Sequence, residues 1–326
     1  MVSELVPTGG SSLGPAGAAS AGHTCTSWRR RNHRSRRARA VREAVAGPSD
    51  LIESFGDEPV VFRGLCASWP ACRWKTRDIC AAMPQVRVSR SKSGNFPRDG
   101  AHECPSDMMP TASFFEQLGK SPPFLYCHGN VLPDKLQDDV PIPALLRGCD
   151  VARRSLWIST SGSCSPFHYD LPNVLLCQVS GRKSVRLYSP AVHDEMAPSA
   201  TTFPALSAQE RIATSPPKKQ DDPKALYVEL RKGDALFMPP GWWHDIVSHS
   251  EEDRSEAGDW SSDTWPCVSI GLNWPAVGDA IRLLAAWKTH TRYRILTQGD
   301  VLIRHYGPER AREMTQQVPG WNLPVF

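Results

Sequence analysis

The chain has 326 residues, of which 40% are hydrophobic and 22% are charged, a composition typical of a folded protein rather than a disordered one. No apolar run approaches the roughly 18 residues that a membrane span requires, so no membrane partner is predicted. The net charge of +4 is uneven, because residues 1–42 carry eight Arg and one acid, a balance of +7, and the remainder carries −3. This distribution argues against a uniformly basic nucleic-acid-binding protein.

The N-terminal residues 1–47 are predicted to be a disordered, Arg-rich tail. Residues 1–25 are rich in Gly, Ala, Ser and Pro, and residues 28–43 form an Arg run. The run fits a solvated arm, an organelle-targeting segment, or a nuclear-localisation or nucleic-acid-binding arm. The sequence does not separate these three interpretations.

Residues 48–276 are predicted to form one domain, in which a mixed α/β lead-in precedes many short strands. Helical character is present at 49–55, 111–118 and 142–147, and strands are predicted at 58–64, 85–89 and 123–127. Further strands are predicted at 155–160, 173–179, 184–188, 225–230, 235–238, 245–248 and 267–272. Strands at this spacing favour a β-sandwich or barrel, interrupted by polar insertions at about 191–224 and 251–264.

Residues 277–326 are predicted to form a C-terminal helical cap, because Ile281, Leu284 and Trp287 recur at a spacing of three. Within this cap, residues 280–312 contain seven basic and two acidic residues, a balance of +5. That balance suits contacts with RNA phosphates. It suits a solvated helix surface or the rim of a dimer equally well.

Three residues in two separate motifs have the pattern of a metal site. His168 and Asp170 are two residues apart in SPFHYD, so on a strand they point to the same face. His244 ends a strand–turn unit, GDALFMPPGWWH, that can return its side chain to the same mouth of a barrel. Two His and one carboxylate form the facial triad of non-haem Fe(II) oxygenases, which leaves coordination positions open. Each motif alone also fits a surface His–Asp pair or a His bonded to the backbone.

The segments SPFHYDLPNVLLCQVSGRKSVRLYSP (165–190) and GDALFMPPGWWHDI (233–246) resemble the JmjC family of cupin oxygenases. The similarity extends from about Pro48 to the C-terminus. Within the family, the chain is most similar to the small hydroxylases, in particular those of the tRNA wybutosine-synthesising type. The resemblance implies a mainly β fold with flanking helices, the double-stranded β-helix of cupins and jelly rolls. It also implies Fe(II) and 2-oxoglutarate as cofactors, with dioxygen as co-substrate.

Residue by residue, His168, Asp170 and His244 match the family's catalytic metal ligands. Lys183 in GRK matches the Lys that pairs with the distal carboxylate of 2-oxoglutarate, and Ser165 and Tyr126 match hydroxyl groups that reach the same carboxylate. A Lys that faces a barrel interior needs an anion, because an unpaired buried charge is unfavourable. The alternative for Lys183 is an exposed position at a hairpin turn.

Two positions depart from the family pattern. An Asn that the family often has at the position of Val174 stands one residue earlier, at Asn173, and one residue changes the face of a strand. Asn173 is therefore predicted to face away from the site. A second family Asn is replaced by Gly271 or Leu272, while Asn273 follows directly. Whether Asn173 or Asn273 contacts the cofactor stays open.

The leading hypothesis is an Fe(II)- and 2-oxoglutarate-dependent hydroxylase acting on a modified tRNA base. The alternatives are a protein side-chain hydroxylase, a lysine demethylase, a non-catalytic JmjC binding module and, as a weaker candidate, a zinc cupin isomerase. The resemblance implies a possible homodimer through the C-terminal helices. Ten scattered Cys without a C-x-x-C pair suit a reducing, intracellular location in cytoplasm or nucleus, with organelle targeting by the Arg run as the alternative.

Overall fold

The computed structural model describes residues 39–47, 50–96, 98–99, 102–120, 122–151, 153–170, 172–196, 211–212, 222–250 and 266–274. Strands dominate these ranges, and the helices are short. The strands are β1 (Arg39–Ala40), β2 (Arg42–Ala44), β3 (Val60–Phe62), β4 (Gln85–Ser91), β5 (Arg98–Asp99), β6 (His102–Glu103), β7 (Ser106–Pro110), β8 (Phe124–Val131), β9 (Arg153–Ser159), β10 (Cys164–Tyr169), β11 (Asn173–Ser180), β12 (Arg182–Tyr188), β13 (Arg211–Ile212), β14 (Leu226–Leu230), β15 (Ala235–Met238), β16 (Trp243–His249) and β17 (Cys267–Trp274). The α-helices are α1 (Thr76–Ala82), α2 (Thr111–Gln117), α3 (Asp134–Gln137) and α4 (His193–Met196), and single 3-10 turns lie at Ile52–Phe55, Pro70–Arg73, Ala144–Leu146 and Pro190–Val192.

Most of these strands belong to two sheets. One sheet has six strands in the order β1-β14-β12-β16-β10-β13, and the other has nine in the order β2-β3-β15-β11-β17-β9-β8-β4-β7. Neighbours within both sheets are antiparallel, except that β1 runs parallel to β14 and β2 parallel to β3. This mainly β, two-sheet arrangement is consistent with the predicted jelly roll.

The two sheets pack face to face around a shared apolar layer. Val174 and Leu176 of β11 point into the space between the sheets, where they pack in one cluster with Val185 and Leu187 of β12. Leu175 points the other way, into a second core that also contains residues of α1 and α2. Because both faces of β11 are covered, all eight of its residues are buried.

The outer face of the six-stranded sheet carries a third, aromatic cluster. Phe167 and Tyr169 of β10, Tyr188 of β12 and Trp243 of β16 pack there with residues of the Pro190–Met196 segment. Tyr169 and Trp243 meet edge to face, with ring centroids 4.8 Å apart. Both faces of this sheet are therefore covered near its centre.

Residues 39–44 connect the edges of the two sheets. β1 pairs with β14 of the six-stranded sheet, and β2 pairs with β3 of the nine-stranded sheet. Between them Val41 is buried in the shared apolar layer, and its N–H donates to the carbonyl of Tyr227 at 3.1 Å. These contacts give strand structure to residues that composition places within the 1–47 tail.

The strands predicted between 155 and 272 are confirmed as β9, β11, β12 and β14–β17. In the lead-in, strands β3, β4 and β8 and the helix α2 also lie where the sequence predicts them. Helix α1 and strand β7 were not predicted. The predicted C-terminal cap, its basic stretch at 280–312 and the dimer proposed through it lie outside the described residues, as do the insertion at 251–264 and most of the one at 191–224.

Candidate metal centre

Three side chains from two neighbouring strands converge at one place. His168 lies near the end of β10, Asp170 directly follows that strand, and His244 lies on β16. The Cα atoms of the two His are partners across the antiparallel pair, and their imidazole centroids lie 4.2 Å apart. Nε2 of His244 lies 3.8 Å from Oδ2 of Asp170. One ligand atom from each residue lies within 4.8 Å of the others, so this group could hold a metal ion.

Backbone carbonyl groups fix the tautomer of both imidazoles. Nδ1 of His168 lies 2.8 Å from the carbonyl oxygen of Pro166, and Nδ1 of His244 lies 2.9 Å from that of Trp242. A carbonyl oxygen only accepts, so each Nδ1 must carry the proton and donate it. Each Nε2 then presents a lone pair, which is the arrangement that a metal-binding His requires.

Burial sets the charge of these groups. It lowers the pKa of His244 well below its usual value, and the neighbouring His168 lowers that pKa further. The imidazole is therefore in the neutral form that binds metal. Burial also raises the pKa of Asp170, although His168 opposes this rise. A divalent cation would compensate the buried carboxylate, so the three residues fit such an ion chemically.

A β-bulge brings Ser165 to the same face as His168. Ser165 is paired with Ile246 and His168 with His244, so three residues of β10 span the distance of two residues on β16. Ile246 and His244 share a face because they are two apart. Ser165 and His168, three apart in sequence, therefore also share that face.

Lys183 is buried in the same interior. It is 2% exposed, and its Cα partner on β16 is Ser248, which lies on the same strand face as His244. Within the described ranges no hydrogen bond or ion pair reaches its ammonium group. Burial lowers the pKa of Lys183, whereas Cys267 acts in the opposite direction. The exposed hairpin position that the sequence left open for Lys183 is therefore wrong.

Buried hydroxyl groups near Lys183 also lack partners in the described part of the chain. The side-chain oxygens of Ser159 and Ser163 are buried and make no hydrogen bond there. The N–H of Ser248, the strand partner of Lys183, donates to the carbonyl of Ser163 at 2.9 Å. An ammonium group beside hydroxyl groups that lack other partners is a suitable receptor for a carboxylate. The residues present therefore fit an oxo acid.

Tyr126 faces this region from the opposite sheet. Its Cα partner on β9 is Ser159, and Ser159 is in turn paired with Cys267, whose thiol interacts electrostatically with Lys183. The Tyr126 ring packs edge to face on Phe96, with centroids 5.2 Å apart. The structure thus places Tyr126 on the side of the interior that faces Lys183.

The two Asn residues that depart from the family pattern lie on opposite faces. Val174 points between the sheets, so its neighbour Asn173 points outward, as the sequence predicts. Asn273 is the Cα partner of Val174 and therefore points inward. A Cβ atom at Gly271 would lie 3.3 Å from Nε1 of Trp157 and 3.4 Å from Oδ1 of Asn273. Gly271 thus leaves room for both side chains inside.

Sequence reasoning missed His128 and Trp157, which border the same interior. The His128 ring meets that of Trp157 edge to face, with centroids 4.8 Å apart, and that of Tyr126 at 5.6 Å. Burial lowers the pKa of His128 to about 4, with further contributions from His168, Arg153, Lys183 and Arg87, in that order. Within the described residues its imidazole makes no hydrogen bond. The strand period could have identified it, because His128 lies two residues after Tyr126.

A family model described as a cupin-like domain matches residues 54–276, more than half of the chain. The chain belongs to the cupin-like JmjC family. Members of this family use Fe(II) and 2-oxoglutarate. Among the described helices, none has the length and apolar character that crossing a membrane requires.

The names of the relatives point to more than one activity. Lysine-specific demethylase JMJ30 of Arabidopsis thaliana is 29% identical over 205 residues, covering 58% of this chain and 47% of the relative. Jumonji C domain-containing protein 5 of Drosophila melanogaster is 33% identical over 141 residues, 40% of this chain and 33% of the relative. tRNA wybutosine-synthesizing protein 5 of Gallus gallus is 32% identical over 113 residues, 35% of each chain. The chain spans less than half of the length of these curated relatives.

Proposed function

We propose that the protein is an Fe(II)- and 2-oxoglutarate-dependent hydroxylase in which His168, Asp170 and His244 bind the iron. The supporting observation is the convergence of two Nε2 lone pairs and one carboxylate, with ligand atoms within 4.8 Å of one another. Membership of a family whose members use these cofactors supports the same conclusion. An assembled triad argues against a non-catalytic binding module.

In this proposal Lys183, Ser165 and Tyr126 bind the oxo acid through its distal carboxylate. Iron with 2-oxoglutarate and dioxygen supplies the oxidant for C–H hydroxylation and releases succinate and carbon dioxide. The protein contributes binding and orientation: the buried Lys183 ammonium supplies the counter-charge, and the hydroxyl groups direct the carboxylate. The apolar layer beside them, with Val185 and Leu187, excludes water from the site.

For the substrate we propose a modified tRNA base. A relative named as a tRNA wybutosine-synthesizing protein and the basic stretch at 280–312 support this choice. Protein substrates are the second candidate, since other relatives are named as lysine-specific demethylases. Crosslinking of the protein in cells separates the two classes. Recovered tRNA supports the first, whereas peptide adducts without RNA would favour side-chain hydroxylation or lysine demethylation.

The enzymatic part of the proposal is tested by succinate formation from 2-oxoglutarate, with iron-free protein as the blank. We expect His168→Ala to reduce iron-dependent turnover at least a hundredfold, because it removes a ligand from the centre. His249→Ala is a matched control, since His249 lies on β16 but on the face opposite to His244 and bonds to Ser184 at 3.0 Å. Unchanged turnover in His168→Ala would contradict the proposal.

A further inference from the structure

A buried ion pair lies on the outer face of the six-stranded sheet, directly behind the candidate metal centre. Nε and Nη2 of Arg186 donate to Oδ1 and Oδ2 of Asp245, at 3.2 and 2.7 Å. The two side chains are only 9% and 10% exposed. Bidentate geometry of this kind fixes both the distance and the angle between two strands.

The same guanidinium group contacts the strand of the other His. Its Cζ atom lies 4.5 Å from the ring centroid of Phe167, which directly precedes His168 on β10. Asp245 directly follows His244 on β16. Arg186, which lies on the central strand β12, therefore contacts the chain neighbour of each candidate His ligand from behind.

These contacts lie beside the β-bulge in β10, where the register of β10 with β16 is interrupted. The register of β10 with β16 shifts between Ser165 and His168, so Pro166 and Phe167 lie in the bulge. The carbonyl of Pro166 also accepts the hydrogen bond that sets the His168 tautomer. A bulge redirects the side chains beside it, so its conformation determines where His168 points.

We infer that Arg186 is a positioning residue for the metal centre: through Asp245 and Phe167 it holds the β10 bulge and β16 so that both Nε2 atoms meet at one point. This inference rests on the metal-binding role proposed above. The side chain of Arg186 lies on the opposite face of β12 from Leu187, the strand partner of His244, so it points away from the interior.

A double variant can separate this role from a contribution to folding. Replacing both members of a buried ion pair by apolar residues is often neutral for stability, whereas removing one member is strongly destabilising. The surroundings of the pair include the aromatic cluster of Phe167, Tyr188 and Trp243, which suits apolar replacements. Arg186→Met/Asp245→Leu is therefore expected to fold. Met and Leu cannot form the two directional hydrogen bonds that join Arg186 to Asp245.

The experiment titrates the metal-free full-length protein with Co(II) and records the visible d–d spectrum, together with the thermal unfolding midpoint. The double variant is expected to keep its midpoint within a few degrees, to bind Co(II) roughly tenfold or more weakly, and to show a changed spectrum. Arg186→Lys keeps the charge but not the bidentate hydrogen bonds. Its Co(II) affinity and spectrum should lie between those of the double variant and the wild type. The control, Arg182→Gln/Glu229→Gln, removes an ion pair on the same face of β12 that joins its side chain to β14.

Wild-type affinity and spectrum in the folded double variant would overturn the inference. If the double variant does not fold, Arg186→Lys decides: an unchanged spectrum and affinity at a normal midpoint would also overturn it. Failure of the wild-type protein to bind Co(II) is a different result, because it would remove the proposed metal site itself.

Discussion

The space between the two sheets has an apolar half and a polar half. On the side of β3, β14 and β15 it is filled by aliphatic side chains such as Val61, Leu230 and Leu236, each fully buried. On the side of β8, β9, β10 and β17 it holds the His168–Asp170–His244 group and unsatisfied hydroxyl groups. β12 contributes to both halves, since Lys183 and Val185 point inward two residues apart.

The two halves stabilise the protein differently. Aliphatic side chains in the apolar half pack against one another, so their burial alone stabilises the folded state. In the polar half, Lys183 and buried hydroxyl groups have been removed from water without full compensation among the described residues, and burial disfavours the charged form of the partly exposed Asp170. Such groups are unfavourable until a cation and an anion bind them. We therefore expect bound ligands to stabilise the polar half.

The largest expected effect is a loss of stability in the apolar half. It tests whether packing in this half is independent of metal binding in the polar half. Leu236→Ala creates a cavity at a residue that is 0% exposed and should lower the free energy of unfolding by about 2–5 kcal/mol. The Co(II) affinity of the folded protein should not change. Urea unfolding and a Co(II) titration measure the two quantities. Leu51→Ala, at an exposed position, is the control, with an expected change within about 0.5 kcal/mol. A parallel loss of metal affinity in Leu236→Ala would show that the halves are coupled.

Lys183→Met tests the anion site in the polar half. It removes the buried ammonium, so the affinity for 2-oxoglutarate should fall on the order of 100-fold, about 3 kcal/mol. The unfolding midpoint without ligand should be equal or higher, because the variant removes a buried charge that has no partner among the described residues. Calorimetric titration of the Mn(II)-loaded protein with 2-oxoglutarate gives the affinity. Unchanged binding would exclude Lys183 as the counter-charge.

His128→Phe tests how the stability of the polar half depends on pH. The pKa of His128 is about 4 in the folded protein against 6.5 ordinarily, so between these values the unfolded chain binds more protons. His128 therefore lowers stability as the pH falls through this window. Phe keeps the ring contacts with Tyr126 and Trp157 and removes the titration. Urea unfolding at about pH 7.5 and about pH 5 should show a loss of stability about 2 kcal/mol smaller in the variant. Identical losses would contradict the lowered pKa of His128 in the folded protein.

Short-range patterns made much of this arrangement predictable. The strands follow from apolar runs bounded by Gly and Pro, and the inward direction of His168 relative to Asp170 from the period of a strand. The placement of Asn173 on the outer face followed from the same period and agrees with the structure. The hydrophobic pattern of β12 alone did not decide whether Lys183 is buried, because a hairpin residue can face either way.

Other features depend on pairings between distant segments. Nothing in the sequence marks the bulge in β10, since it exists only relative to β16. The ion pair of Arg186 with Asp245 joins two strands whose register was unknown, and each residue alone resembles an exposed charge. Strands β1 and β2 have a composition typical of a tail, and their structure comes from hydrogen bonds to β14 and β3.

Residues 39–44 have a practical consequence for recombinant protein. A shortened version that begins after Ala44 would lack one edge strand from each sheet and the Val41 side chain between them. The exposed N–H and C=O groups of β3 and β14 would then be free to pair with those of other molecules. Truncations within the Arg-rich run should therefore start before Arg39, so that β1 and β2 remain and cover both edges.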